Sequence, residues 1–213
     1  MKNYYICINR QFGSLGRPIA RALSEILGIE YYDRDIIEAA AEKTDMPLKH
    51  ASEVEEKVQF RFAYMSHPLG IGAVAEQNKI FEAERDIILQ FAAKGSAIFV
   101  GRCAEYILRE KNCLNVFIYA PEEERYQNCV NSLDMEPAEA RETIASVDKA
   151  RDNYWMKYAK YLPSDLEHNH LMIDSSLLGV KGTAQLLAEI AQKYFGLAGR
   201  EKNAPSEQKA ASV

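Results

Sequence analysis

Tyr4-Tyr5-Ile6-Cys7-Ile8, then Asn9-Arg10-Gln11-Phe12-Gly13-Ser14-Leu15-Gly16-Arg17, then Ile19-Ala20-Arg21-Ala22-Leu23 is the stretch that decides the fold. Its first part is a short apolar run of the kind that forms a buried strand. Its middle is a tight turn with glycine and a basic residue, and its last part carries apolar residues at helical spacing. A strand–turn–helix unit of this kind aims several free backbone N–H groups at one spot, where the helix dipole adds partial positive charge. Such a spot binds phosphate. The bland reading has equal standing, because many α/β proteins contain strand–loop–helix units with one or two glycines and bind nothing there. The full pattern G-x-x-x-x-G-K-[ST] is absent. Gly16 or Arg17 stands where its lysine is sought, and Pro18 occupies the place of a magnesium-binding hydroxyl.

Beyond this unit, strands alternate with helices. Ile29 to Tyr32 reads as a short strand, followed by Asp33 at the head of a helix through Ile36, Ile37 and Ala40. Thr44-Asp45-Met46-Pro47 breaks that helix, and another is expected from Leu48 to about Tyr64. Ser66 to Gly72 reads as a loop. A long helix then carries Ile80, Phe81, Glu84, Ile87, Ile88 and Phe91 and ends near Gly95. Ala97 to Val100 is a buried strand, and Gly101-Arg102-Cys103-Ala104-Glu105 opens the next helix. Leu114 to Ala120 is a strand, with helices expected after Pro121 and from Pro137 toward Lys160. Leu171 to Asp174 is the last strand and Gly179 to Phe195 the last helix. Five short apolar strands separated by helices predict a parallel sheet covered on both faces. Ligands on such sheets sit at the carboxyl ends of the strands. The Gly13 turn, Asp33, Arg102 and the segment after Ala120 therefore surround one crevice.

The chain has 213 residues, of which 47% are hydrophobic, enough for one globular domain with a real core. No apolar run approaches the ~20 residues of a membrane span, and no signal-peptide pattern opens the chain. A net charge of −5 argues against a nucleic-acid-coating surface. Cys7, Cys103, Cys113 and Cys129 are widely spaced and form no C-x-x-C pair, so a reducing cytoplasm is expected. The segment 197–213 has little to bury and is expected to be a disordered tail.

Individual residues permit two readings each. Arg102 follows a strand and a glycine, so its planar guanidinium can reach the crevice and a phosphate; alternatively it pairs with Glu105. Asp33 is a helix N-cap or a ligand contact. Lys149, Lys157 and Lys160 share one broad helical face while Arg151 lies nearly opposite. Either that segment bends as a lid, or Arg151 serves a salt bridge to Asp148 or Asp152. The apolar stripes of the long helices between Asp33 and Gly95 are core, an acceptor-site cover or a homodimer contact.

Five segments together resemble the cytidylate kinase-like family: Ile8 to Ala20, Tyr31-Tyr32-Asp33-Arg34-Asp35-Ile36-Ile37, Phe99-Val100-Gly101-Arg102-Cys103-Ala104-Glu105-Tyr106-Ile107-Leu108, Val116 to Pro121, and Ile173 to Gly179. The resemblance implies a three-layer α/β P-loop kinase fold over residues 1–196, with a five-stranded parallel sheet and helices on both faces. It also implies a helical acceptor-site region at about 34–94 and a lid-like segment at about 136–165. By the same resemblance, ATP and Mg2+ are expected, with CMP or dCMP as acceptor. Arg10, Gly13, Ser14, Leu15, Gly16 and Arg17 would hold the ATP phosphates. Asp33, Arg34, Arg102, Arg151 and Lys157 would meet the acceptor side, and Arg17 and Arg102 would be catalytic. The chain departs from the family pattern at Leu15, where a glycine is usual, and from authentic cytidylate kinases at Val100 and Cys103, where they carry aspartates. A non-catalytic nucleotide-binding protein, or a kinase for another small acceptor, is the competing expectation. A dinucleotide oxidoreductase fails on detail, since the turn is not G-x-G-x-x-G.

Overall fold

The computed structural model describes residues 3–43 and 71–197, apart from the side chains of residues 34, 37, 41 and 71–76. The helix expected from Leu48 to Tyr64, most of the loop before Gly72, the side chain of Arg34 and the tail from 198 onward lie outside the described residues. Five strands form one sheet: β1 (Tyr5–Arg10), β2 (Glu30–Tyr32), β3 (Ala97–Val100), β4 (Cys113–Tyr119) and β5 (Leu171–Asp174). They run parallel in the order β2-β3-β1-β4-β5. The described helices are α1 (Gly16–Leu27), α2 (Arg34–Lys43), α3 (Ile71–Lys94), α4 (Ala104–Ile107), α5 (Glu122–Ser132), α6 (Pro137–Tyr158) and α7 (Gly179–Tyr194). Ile71 and Gly72, read as loop from their sequence, already belong to α3.

The central place of β1 explains its apolar run. A strand with neighbours on both edges and helices on both faces keeps no side toward water. Alternation then divides its side chains between two cores. Ile6 and Ile8 pack with Ile19 and Leu23 of α1 and with Leu187 and Ala191 of α7. Tyr5 and Cys7 pack on the other face with Ile36 and Ala40 of α2, Ile87 and Ile88 of α3, and Phe99. All four cysteines are free and buried.

Within residues 136–165, α6 is in contact with the body at two places. Its middle packs with α5 beside the turn after β1, through Phe12, Cys129, Ala140 and Ile144. Its end packs on α3 through Phe81, Tyr154, Trp155 and Tyr158. The Phe81 and Tyr158 rings stack with centroids 3.8 Å apart. Lys157 Nζ donates to Gln77 Oε1 at 2.6 Å and the Tyr158 hydroxyl to Asn78 Oδ1 at 3.1 Å. Lys160 lies past the end of the helix with φ at +71° and donates to Lys157 O.

Leu23 is fully buried where α1 meets the sheet. Replacing it with alanine removes three carbons and leaves a void, so Leu23→Ala is expected to lower unfolding free energy by about 2–5 kcal/mol, read from urea or thermal denaturation.

Candidate active site

The turn after β1 is built to leave donors exposed. Gln11 N–H bonds Ile118 O and Ser14 N–H bonds Gln11 O, which closes a tight loop. Gly13, at φ +77°, fits only without a side chain: a Cβ there would lie 2.7 Å from Arg125 O. Leu15 adopts φ +59° in the left-handed region and sets the direction of α1. The first bond of that helix runs from Ile19 N–H to Leu15 O. The N–H groups of Leu15, Gly16 and Arg17 thus have no acceptor among the described residues, and Pro18 has no N–H to offer. No acidic residue sits in the first turn. The positive end of the dipole is left uncompensated by its own helix.

Arginines gather at this helix end. The Arg10 side chain passes from the end of β1 over Gly16 and Gly101. A Cβ on Gly16 would lie 2.8 Å from the Arg10 Cβ, and one on Gly101 would strike its guanidinium. Arg10 Nη2 lies 3.5 Å from Asp33 Oδ1, and Arg17 Nε pairs with Asp33 Oδ2. Asp33, at the end of β2, is 3% exposed, and the Tyr31 hydroxyl donates to its Oδ2 at 3.3 Å. Burial, followed by the Asp33 charge, pushes the Tyr31 hydroxyl up to about 12.

Arg102 joins from β3. Gly101, Arg102 and Cys103 have φ values of +76°, +61° and +50°, three left-handed residues in succession. Each non-glycine there costs on the order of 1–2 kcal/mol, and such strain collects at functional sites. The turn sends Arg102 toward α3, where Nη1 lies 3.6 Å from Glu84 Oε1. The acidic side chain beside its guanidinium is therefore Glu84. Glu105 is taken instead by Trp155 Nε1, which donates at 2.5 Å, and by the Tyr161 hydroxyl at 3.5 Å. Burial pulls Arg102 down to about 10, with Arg10 and Arg17 acting in the same sense and Tyr154 and Asp33 against it. At neutral pH it keeps its charge. Glu84 is fully buried and accepts the Tyr154 hydroxyl at 2.6 Å on Oε2. Burial pushes its carboxyl up to about 8, and the Tyr154 hydrogen bond opposes that rise.

Arg10, Arg17, Asp33 and Arg102 are thus brought together with the α1 terminus. Ser14 is in the loop, but its hydroxyl is committed to Gln11 O and Ile118 O at 2.9 and 3.2 Å. Arg151 donates to Arg10 O at 3.0 Å and lies 3.8 Å from Asp148, the salt-bridge alternative open in its sequence. Lys157 sits with Gln77, away from the loop. Two positions had no functional reading in the sequence. Glu84 is one, an acid inside an apolar helix face. The other is Asp148, which accepts Phe12 N–H at 2.7 Å and pairs with Arg125, fastening α6 to the loop.

A family model for the cytidylate kinase-like family matches residues 5–177. The chain belongs to that family. No functionally curated protein matches it. Among solved structures, an uncharacterized protein from Eubacterium ventriosum is similar at 22% identity, with 92% of this chain and 99% of that one covered and a TM-score of 0.65. TT1252 from Thermus thermophilus is similar at 14% identity, 93% and 100% coverage and a TM-score of 0.55. A shikimate kinase from Bacteroides thetaiotaomicron gives 12% identity, 89% and 98% coverage and a TM-score of 0.55. These likenesses establish the P-loop kinase fold. Among the described residues no helix is long and apolar enough to cross a membrane.

Magnesium finds no dedicated protein cage here. Among the described residues no group of three His, Cys, Asp or Glu side chains is set to hold a metal. Asp33 lies under two guanidiniums, and Pro18 replaces the usual hydroxyl.

The raised Glu84 carboxyl has a signed consequence. The native state holds its proton up to about pH 8, whereas the unfolded chain releases it near 4.5. Between these values the native state binds more protons, so this group's stabilisation is full below the lower pH and falls as pH rises to the upper one. Glu84→Gln is expected to flatten the decline in unfolding free energy across that window, measured by denaturation at a series of pH values.

Proposed function

We propose that the protein is a phosphotransferase that uses ATP to phosphorylate a nucleoside monophosphate, with CMP or dCMP as the favoured acceptor. The observation that carries this reading is the convergence of three guanidiniums, Arg10, Arg17 and Arg102, around the open N-terminus of α1. Membership of a family described by cytidylate kinase supports the acceptor.

Phosphoryl transfer asks a protein for alignment and charge neutralisation, with little covalent work. The backbone N–H groups of Leu15, Gly16 and Arg17 would bind the nucleotide's terminal phosphates, with Arg17 adding its charge where a lysine is usual. The bound nucleotide supplies the transferred γ-phosphoryl group. Arg10 would exchange Asp33 for phosphate oxygens, a trade of one anion for another. Arg102 would grip the acceptor or transferring group from the β3 side, stiffened by its strained turn. Asp33 and Arg34 would border the acceptor side, at the start of α2. Transfer would be direct and in line, since no nucleophile–base pair among the described residues suggests a covalent intermediate.

Pro18 and the pairing of Arg10 with Asp33 favour one competing reading, a protein that binds a nucleotide without transferring its phosphate. ADP production from ATP and Mg2+, with nucleoside monophosphates and hydroxyl-bearing small acids as acceptors, separates the two. Transfer to CMP or dCMP is expected, with kcat lowered by about 10²–10³ in Arg17→Ala and activity lost in Arg102→Ala. An ATP-dependent rise in melting temperature with no acceptor phosphorylated would establish the non-catalytic reading instead.

A further inference from the structure

A cavity of about 450 Å³ lies away from the phosphate loop. Cys113 and Asn115 of β4 line it together with His170, the residue before β5. It therefore flanks the amino ends of these strands, whereas the phosphate loop follows the carboxyl end of β1. Its size falls within the ~300–1,000 Å³ of small-molecule pockets.

Its wall is a run of planar groups. The Arg109 guanidinium lies over the Tyr106 ring, 4.4 Å from the centroid. Tyr106 meets Tyr161 edge to face at 6.5 Å, and Tyr161 stacks on His168 at 3.6 Å with an interplanar angle of 12°. Polar groups of one kind complement this wall. His170 Nδ1 accepts the Asn115 N–H at 2.9 Å, so in the neutral ring the proton is on Nε2, which becomes a donor. Lys111 brings an exposed positive charge, and so does Arg109, whose Nη1 donates to Tyr106 O at 2.7 Å and whose Nε lies 4.0 Å from Glu110 Oε1. Of the two lining acids, Glu167 is exposed, whereas Glu105 is buried and engaged by Trp155 and Tyr161. Planar faces stack a ring, and ammonium, guanidinium and imidazole N–H groups meet an anion.

We propose that this cavity is a second small-molecule site, for a planar phosphorylated ligand of the mononucleotide class. The ring stacks along the Tyr106–Tyr161–His168 wall, and the phosphate faces Lys111, Arg109 and His170 Nε2–H. The site is also linked to the phosphate loop. Tyr161 and Trp155 donate to the same oxygen, Glu105 Oε1. Trp155 belongs to α6, the helix whose Asp148 and Arg151 hold the backbone of Phe12 and Arg10. A ligand that shifts Tyr161 thus acts on the element that braces the loop.

Titration of the full chain with CMP, AMP and inorganic phosphate, followed through the Asn115 amide and His170 imidazole NMR signals, tests the assignment. Saturable shifts are expected with CMP or AMP, weakened at least about tenfold in Lys111→Glu and in Arg109→Glu and unchanged in Arg102→Ala. Both charge reversals are at exposed positions, so the fold is expected to persist, and far-ultraviolet circular dichroism verifies it. Absence of shifts in millimolar CMP and AMP, or shifts indifferent to both reversals, would overturn the site. Inorganic phosphate binding as tightly as CMP would overturn the planar ligand. A chain that fails to transfer phosphate still shows these shifts, so the two proposals fail separately.

Discussion

One buried carboxylate carries the organisation of the phosphate-binding end. Asp33 lies between the guanidiniums of Arg10 and Arg17, and Arg102 is close enough to feel all three charges. Two like charges 4 Å apart repel by about 4 kcal/mol at an effective dielectric of about 20. Three arginines beside the positive end of a helix therefore need a resident anion. α1 supplies none in its first turn, so the anion comes from the end of β2. Other features follow from this placement. Arg10 must cross from β1 to reach Asp33, and it can do so only because Gly16 and Gly101 leave no side chain in its path. Under the proposed function, an arriving phosphate competes for guanidiniums that are already assembled.

Basic and aromatic residues of α6 are held in the fold at two anchors. At the first, Asp148 and Arg151 hold the backbone of Phe12 and Arg10. At the second, Phe81, Tyr154 and Tyr158 form an aromatic joint with α3 around the Glu84 carboxyl. Phosphate loop, α3 and Arg102 are therefore braced by one helix rather than by three separate loops.

The strand–turn–helix reading of residues 4–23 and the five-stranded parallel sheet were legible because a central parallel strand must be apolar on both faces. Arg102 stood out because it follows a strand and a glycine. Its true partner did not. Glu84 sits among Ile80, Phe81, Ile87 and Ile88, and the sequence assigns it no role; α6 buries it through Tyr154. Glu105 was the nearest acid in sequence, yet its carboxylate accepts from Trp155, fifty residues away. The crossing of Arg10 over two glycines from different loops was illegible for the same reason, since the contact exists only after β1 and β3 pair. Arg151 is an intermediate case: Asp148 was visible three residues before it, but the Arg10 carbonyl was not.

The burial of the four free thiols has a further use. Cys7 lies within the sheet, Cys113 at the start of β4, Cys129 beneath the turn at Gly13, and Cys103 between α3 and α6. A thiol out of reach of solvent reacts with an alkylating reagent only when its surroundings open. The molecule thus carries buried thiols in three parts of its architecture. Cys129 times the lifting of α5 from the phosphate loop, and Cys103 times the parting of α3 from α6. Cys7, covered on the sheet, reports the loss of the sheet itself.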